Sequence, residues 1–147
     1  MKMAEIREFR SEDVESVSEL VLGSLGEFYP RTLYLEKSRQ WNEGFMVAEE
    51  GGRIISMLLG ALEGRSESRI LMFAVETPYR NRGIGSMMML DFMRRSAVRG
   101  VRRITLEVRK SNIGAIRFYE KFGFQIAGVL SRYYSDMEDG YRMVRQL

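Results

Sequence analysis

The segment YRNRGIGSMMM (79–89) combines positive charge with backbone freedom in a way that suits an anion. Gly83 and Gly85 open a predicted helix, where the first N–H groups have no intrahelical acceptor and the helix dipole favours negative charge. Glycine lets the backbone approach a ligand without interference from Cβ, and Arg80 and Arg82 can add charge-assisted hydrogen bonds. The segment therefore predicts a turn that binds a pyrophosphate.

Two generic phosphate-binding patterns do not match this turn. The dinucleotide fingerprint G-x-G-x-x-G needs a third glycine where the chain has Met88, and the P-loop pattern G-x-x-x-x-G-K-[ST] is absent from the sequence. From the turn alone, a glycine-lined turn beside an arginine-rich surface therefore stays open as an alternative to an anion site.

The amino-acid composition restricts the chemistry that the chain can perform. It contains no His and no Cys, which excludes disulfides, Cys/His or Ser/His nucleophilic catalysis and the usual zinc ligand sets. We therefore expect no metal. Any acid–base catalysis must use Asp, Glu, Tyr, Lys or backbone groups.

Charge and hydropathy exclude two further classes of protein. The net charge of +3 is too small to favour nucleic-acid binding. No apolar run approaches the ~20 residues of a membrane span, and the first residues, MKMAEIREF, do not fit a signal peptide. We expect a cytoplasmic protein with no membrane and no nucleic-acid partner.

The predicted elements follow the order β-α-α-β-β-β-α-β-α-β-β, which favours an α/β chain with a mixed sheet in a single domain over 1–147. Residues 103–109 alternate, so their apolar side chains point one way and Glu107 points the other. Residues 68–76 contain no such alternation and predict a strand that is buried on both faces.

Four segments, in order along the chain, resemble one family. RNRGIG (80–85) resembles the R/Q-x-x-G-x-G/A acetyl-CoA motif of the GCN5-related N-acetyltransferases (GNAT), and LEVRKSNIGAIRFYEKFGF (106–124) resembles their second conserved segment. RYYSDMEDGYRM (132–143) is similar to the YYxDGEDA ending of the RimI and NatA-type protein N-terminal acetyltransferases. LGEFYP (25–30) is similar to the LPENYP of archaeal members of that branch.

The resemblance implies the GNAT fold, with a mixed, mostly antiparallel sheet of about seven strands flanked by about four helices. It also implies acetyl-CoA as the cofactor, held by the glycine turn, the preceding strand and the helix after Asn112. Asn112 can cap that helix as well. The expected cofactor-binding residues are Phe73, Ala74, Val75, Arg80, Asn81, Arg82, Gly83, Ile84, Gly85, Ser86, Asn112, Ala115, Phe118 and Tyr119.

Acetyl transfer to an amine needs a proton acceptor for the amine and a proton donor for the leaving thiolate. Without His, Glu107 is the candidate base, directly or through water, because it matches a glutamate of RimI enzymes. The alternative is a surface carboxylate paired with Arg103 or Arg109. The resemblance implies Tyr119 as the acid, although helical spacing alone would favour a core tyrosine.

By the same resemblance, segments 27–29 and 133–134 form the two walls of a cleft for a peptide, with aromatic rings around its first side chain. Gly26, Phe28 and Met137 depart from the family patterns, so the preferred first residue of the substrate stays open. At Tyr79 some relatives have a catalytic tyrosine, with packing beside the turn as the alternative. The expected substrate-binding residues are Glu27, Phe28, Tyr29, Tyr79, Tyr133 and Tyr134.

The sequence therefore predicts an acetyl-CoA-dependent acetyltransferase that acts on the free N-terminal α-amine of polypeptides by direct attack. We expect no obligatory auxiliary subunit and a monomer or weak homodimer. Three alternatives remain: an acetyltransferase for a small amine such as a polyamine or amino acid, a non-catalytic acyl-CoA-binding module, and a nucleic-acid-binding module.

Overall fold

A computed structural model describes residues 3–147 and confirms the predicted order of elements. Met1 and Lys2, which open the N-terminal segment considered for a signal peptide, lie outside the described residues. The strands are β1 (Glu5–Glu8), β2 (Phe45–Glu50), β3 (Arg53–Glu63), β4 (Glu67–Val75), β5 (Arg103–Arg109), β6 (Gln125–Leu130) and β7 (Gly140–Gln146). The helices are α1 (Val14–Leu25), α2 (Arg31–Gln40), α3 (Ile84–Arg99) and α4 (Ile113–Lys121).

Across residues 3–147 the seven strands form one sheet in the order β1-β2-β3-β4-β5-β7-β6. β4 and β5 run parallel, with Glu67 beside Arg103 and Ile70 beside Leu106. The pairs β1-β2, β2-β3, β5-β7 and β6-β7 are antiparallel. The predicted mixed, mostly antiparallel sheet is confirmed. In the described part of the chain, no helix has the length and apolar character needed to cross a membrane.

The described chain forms two compact units. The first comprises the residues up to Ala61 together with Leu71–Arg95, and the second comprises Leu62–Ile70 and Ser96–Leu147. Both units include parts of β4 and α3. A single domain over 1–147 stays a prediction.

In the first unit, apolar side chains of α1, α2 and the first strands form a buried core. The rings of Phe9 and Phe45 stack with 4.1 Å between their centroids. The carboxylate of Asp13, just before α1, accepts hydrogen bonds at 2.8 Å from Arg7 Nη1 and from the backbone N–H of Arg10. Burial raises the pKa of Asp13, but these bonds outweigh it and hold the pKa below its ordinary value.

Strand β4 corrects the prediction of a strand that is buried on both faces. Alternate residues from Ser68 to Ala74 are buried, while those between them are partly exposed. The prediction was wrong because six apolar residues in a row, 70–75, do not reveal which face meets solvent. The partly exposed set includes Arg69 and Phe73.

In the second unit, β5 alternates as predicted. Ile104, Leu106 and Val108 are buried, and Glu107 points to the opposite face, where it lies across from Arg142 of β7. The buried face anchors the strand, so the register of β5 with β7 determines which side chains surround Glu107.

Gly60 of β3 offers a test of packing in the first unit. A Cβ atom at this position would collide with the ring of Phe92 and lie 3.2 Å from the Gly44 carbonyl oxygen. Phe92 is fully buried, so we predict that Gly60→Ala lowers the free energy of unfolding by about 1–3 kcal/mol. Urea unfolding followed by circular dichroism measures this change.

The matched control is Gly23→Ala on α1, where a Cβ atom would meet no atom within 4 Å. This substitution should raise the free energy of unfolding by about 0.5–1 kcal/mol because alanine favours the helix. Equal stability of Gly60→Ala and the wild type would contradict close packing around Phe92.

Candidate active site

The glycine turn lies in the first unit, between β4 and α3. Asn81 and Gly83 have φ angles of 62° and 80°, which reverse the direction of the backbone before the helix. The first helical hydrogen bond of α3 runs from the Met87 N–H to the Gly83 carbonyl at 3.0 Å. The N–H groups of residues 84–86 therefore have no acceptor within the helix.

The Cβ position of Gly83 is unobstructed. A Cβ atom on Gly83 would meet no protein atom within 4 Å, so the positive φ rather than close packing selects glycine here. N–H groups without an acceptor in the helix fit the phosphate groups of the predicted cofactor.

The two arginines of the turn contact the protein itself. Arg80 Nε donates to the Val75 carbonyl at the end of β4 at 2.9 Å. The guanidinium of Arg82 lies 5.2 Å from the centre of the Tyr79 ring and 3.5 Å from the Glu50 carboxylate. Tyr79 thus packs beside the turn, and both arginines help to hold the turn in shape.

Glu107, in the second unit, is enclosed by two guanidinium groups. Its Oε1 lies 2.8 Å from Arg69 Nε and 2.5 Å from Arg69 Nη2, and its Oε2 lies 3.4 Å from Nε and Nη2 of Arg142. The side chain of Glu107 is 8% exposed. Arg103 and Arg109 contact other carboxylates, so the expected pairing of Glu107 with one of those two arginines is wrong.

Sequence reasoning missed Arg69 and Arg142. Arg142 lies directly opposite Glu107, and Arg69 lies beside Thr105, two residues before Glu107 on the same face of the sheet. They are 38 and 35 residues away from Glu107 along the chain. The alternation within each strand indicates which of its residues share a face. It identifies their contact partners on a neighbouring strand only when the register between the two strands is known.

Helix α4 positions Tyr119 among aromatic rings. Asn112 caps the helix, as predicted, since its Oδ1 accepts from the Ala115 N–H at 3.2 Å. The ring of Tyr119 lies 5.5 Å from Phe118 and 5.6 Å from Phe124, centre to centre. Burial raises the pKa of Tyr119 above its ordinary value, so the hydroxyl group keeps the proton that a general acid needs.

The loop between β6 and β7 contains Tyr133 and Tyr134, whose rings meet edge to face at 5.0 Å. The guanidinium of Arg109 lies 4.2 Å from the centre of the Tyr134 ring, and its Nη1 lies 2.9 Å from the carboxylates of Asp136 and Glu138. Burial raises the pKa of Tyr134 to about 12. Arg109 therefore fixes the loop, while Tyr133 is 45% exposed.

The first unit contains the other predicted substrate segment, between α1 and α2. Gly26, with φ of 69°, ends α1. The hydroxyl of Tyr29 donates to the Glu27 carboxylate, and burial, followed by this bond, raises the pKa of Tyr29. Phe28 is 73% exposed, so its ring is available to a ligand.

The second unit brings together several of the predicted residues. Arg69, bound to Glu107, also lies 3.4 Å from the Tyr133 hydroxyl through Nη2. A carboxylate, the protonated phenol of Tyr119 and an exposed tyrosine are groups that can move protons and contact a substrate. No group of three residues of the metal-binding types forms a possible ion site among residues 3–147.

Comparison with known proteins identifies the family. A protein-family sequence model, described as Acetyltransferase (GNAT) family, matches residues 10–124. The chain belongs to this family. It is 32% identical to an N-alpha-acetyltransferase of Sulfurisphaera tokodaii, over 97% of this chain and 92% of that one.

Two solved structures extend the comparison. Ard1 from Thermoplasma volcanium is 40% identical, with a TM-score of 0.94 over 98% of this chain and 97% of that one. Naa20 from Chaetomium thermophilum, in complex with a bisubstrate analogue, is 26% identical. Its TM-score is 0.89 over 97% of this chain and 86% of that one. The predicted GNAT fold is confirmed. So are acetyltransferase activity and acetyl-CoA as the cofactor, which GNAT acetyltransferases use.

The acidic residue Glu138 makes the β6–β7 loop sensitive to pH. Hydrogen bonds from Ser111 and Arg109 hold the pKa of Glu138 below its ordinary value. Such a group stabilises the folded state above its unfolded pKa of about 4.3, and this contribution is lost as the pH falls. We predict that Glu138→Gln lowers Tm at pH 7 and that the deficit shrinks as the pH falls below about 4.3.

Thermal unfolding of the variant and the wild type between about pH 7 and pH 3.5 measures this deficit. Glu120→Gln, at an exposed position of α4, is the matched control and should change Tm little at any pH. A deficit of equal size at every pH would rule out the charge of Glu138 as its cause.

Proposed function

We propose that the protein acetylates the free α-amino group of polypeptide N-termini, with acetyl-CoA as the donor. The observation that carries this proposal is the network in the second unit, where Arg69 links the enclosed carboxylate of Glu107 to the exposed Tyr133. A proton acceptor and an aromatic surface that suits a peptide are thus connected in one network. The similarity to N-alpha-acetyltransferases supports the same substrate class.

The first unit contains the groups that would hold acetyl-CoA. The N–H groups of residues 84–86 bind the pyrophosphate at the start of α3, and the open space at Gly83 admits it. Backbone groups of residues 73–75 line the pantetheine arm, and one N–H group there polarises the thioester carbonyl. When bound, the cofactor supplies an activated acetyl group.

The second unit supplies the proton transfers. An α-amine titrates near ~8, so a modest base is sufficient near neutral pH. Glu107 accepts the amine proton, directly or through water. Tyr119, which burial keeps protonated, donates a proton to the leaving sulfur.

Exposed aromatic residues receive the first residues of the peptide. Tyr133, in the second unit, presents its ring to solvent. Its apolar face contacts side chains of the peptide, and the Tyr133 and Tyr134 hydroxyls contact peptide groups. Arg109 holds Tyr134 in place for this role.

The substrate class is tested by CoA release from acetyl-CoA with purified protein. We expect turnover with short peptides that begin Ser, Ala, Met-Leu or Met-Glu, and their ranking defines the preferred first residue. The same peptides with blocked N-termini, free lysine and spermidine are the controls. Turnover with spermidine or with the blocked peptides, but not with free N-termini, would overturn the proposal and favour a small-amine or side-chain acetyltransferase.

The two proton-transfer residues are tested by Glu107→Gln and Tyr119→Phe. Each should lower kcat by about tenfold or more, in the range of general acid–base catalysis, with little change in CoA affinity measured by calorimetry. Glu120→Gln and Tyr141→Phe are matched controls in the same unit and should keep the wild-type kcat. Unchanged turnover in either variant would remove that residue from the mechanism.

A further inference from the structure

The two oxygens of the Glu107 carboxylate are not equivalent. Oε1 receives two short contacts from Arg69, at 2.5 and 2.8 Å, whereas both contacts of Oε2 with Arg142 are 3.4 Å long. A carboxylate oxygen with two short charge-assisted bonds has little capacity left for another proton. Oε2 is therefore the oxygen that can accept one.

Arg69 is held from several sides, which gives it the rigidity that this difference requires. Besides Glu107, its guanidinium lies 3.4 Å from the Tyr133 hydroxyl and 3.6 Å from the Glu63 carboxylate. Its side chain is 30% exposed, compared with 46% for Arg142. Burial lowers the pKa of Arg69, but the bond to Glu107 outweighs it and the pKa is raised, so the cation persists.

We propose that Arg69 is a positioning residue for acetyl transfer, and this inference rests on the proposed role of Glu107. Arg69 holds Oε1 and links the carboxylate to the substrate-binding Tyr133. Oε2 then takes the proton of the attacking amine. In this step the amine nitrogen bonds to the acetyl carbon and the C–S bond breaks. The amine proton passes to Oε2, and the sulfur takes a proton from Tyr119.

The charges around Glu107 give this role a signature in the pH profile. Arg69 faces it from β4 and Arg142 from β7, while Glu63 of β3 lies beyond Arg69. Arg109 shares its face of β5, and Tyr133 and Tyr134 approach from the β6–β7 loop. Removing one cation from the site favours the protonated form of the bound amine. The acidic limb of kcat, which reports the enzyme–substrate complex, should then move to higher pH.

The test combines Arg69→Met, Arg69→Lys and Arg142→Met with the wild type and with Glu107→Gln. We expect Arg69→Met to lower kcat by about tenfold when it is introduced into the wild type. In the Glu107→Gln background the same substitution should lower kcat by less than about twofold, because Arg69 acts through the Glu107 carboxylate. Arg69→Lys keeps the charge, so the acidic limb should stay near its wild-type pH although kcat falls. Arg142→Met should lower kcat less than Arg69→Met, and Arg117→Met, at an exposed position of α4, should change neither quantity.

CoA affinity and Tm of each variant confirm folding, and Arg69→Lys carries the test if Arg69→Met does not fold. A normal kcat in Arg69→Met, or an equal loss in both backgrounds, would overturn the inference while leaving the proposed function standing. A normal kcat in Glu107→Gln would remove the base itself, and the role of Arg69 would fall with it.

Discussion

The antiparallel register of β5 with β7 is the constraint on which the second unit depends. It sets Glu107 opposite Arg142 and Arg109 opposite Gly140. Gly140 packs closely against the loop, because a Cβ atom there would come 3.0 Å from the ring of Tyr134. A slip of one residue would turn the apolar face of β5 outwards and separate these pairs. One register therefore places the carboxylate, one of its cations and the loop tyrosine.

A chain without histidine builds its site from groups that keep their charge near neutral pH. Arginine stays protonated at any pH at which proteins fold, and burial keeps Tyr119 protonated. The frame of guanidinium groups around Glu107 is therefore constant. In the proposed reaction, the group that titrates near neutral pH is the substrate amine, at about 8.

The arginines of the glycine turn contact the protein itself, and their direct contacts with an anion stay a prediction. Arg80 binds the carbonyl at the end of β4, and Arg82 lies against Tyr79 and Glu50. These contacts hold the backbone of the turn in place before the first helical N–H groups. The proposed cofactor site thus depends on backbone geometry that side chains maintain.

Local sequence was sufficient to predict the elements and the features that depend on a few neighbouring residues. The alternation of β5, the cap at Asn112 and the glycine turn before α3 are all encoded locally. The predicted roles of Glu107 and Tyr119 came from family motifs, and they stay predictions. The enclosure of Glu107 by Arg69 and Arg142 and the partly exposed face of β4 follow from long-range strand pairing. Local periodicity sets the direction in which a side chain points, whereas its partners depend on strand order and register between residues far apart in the chain.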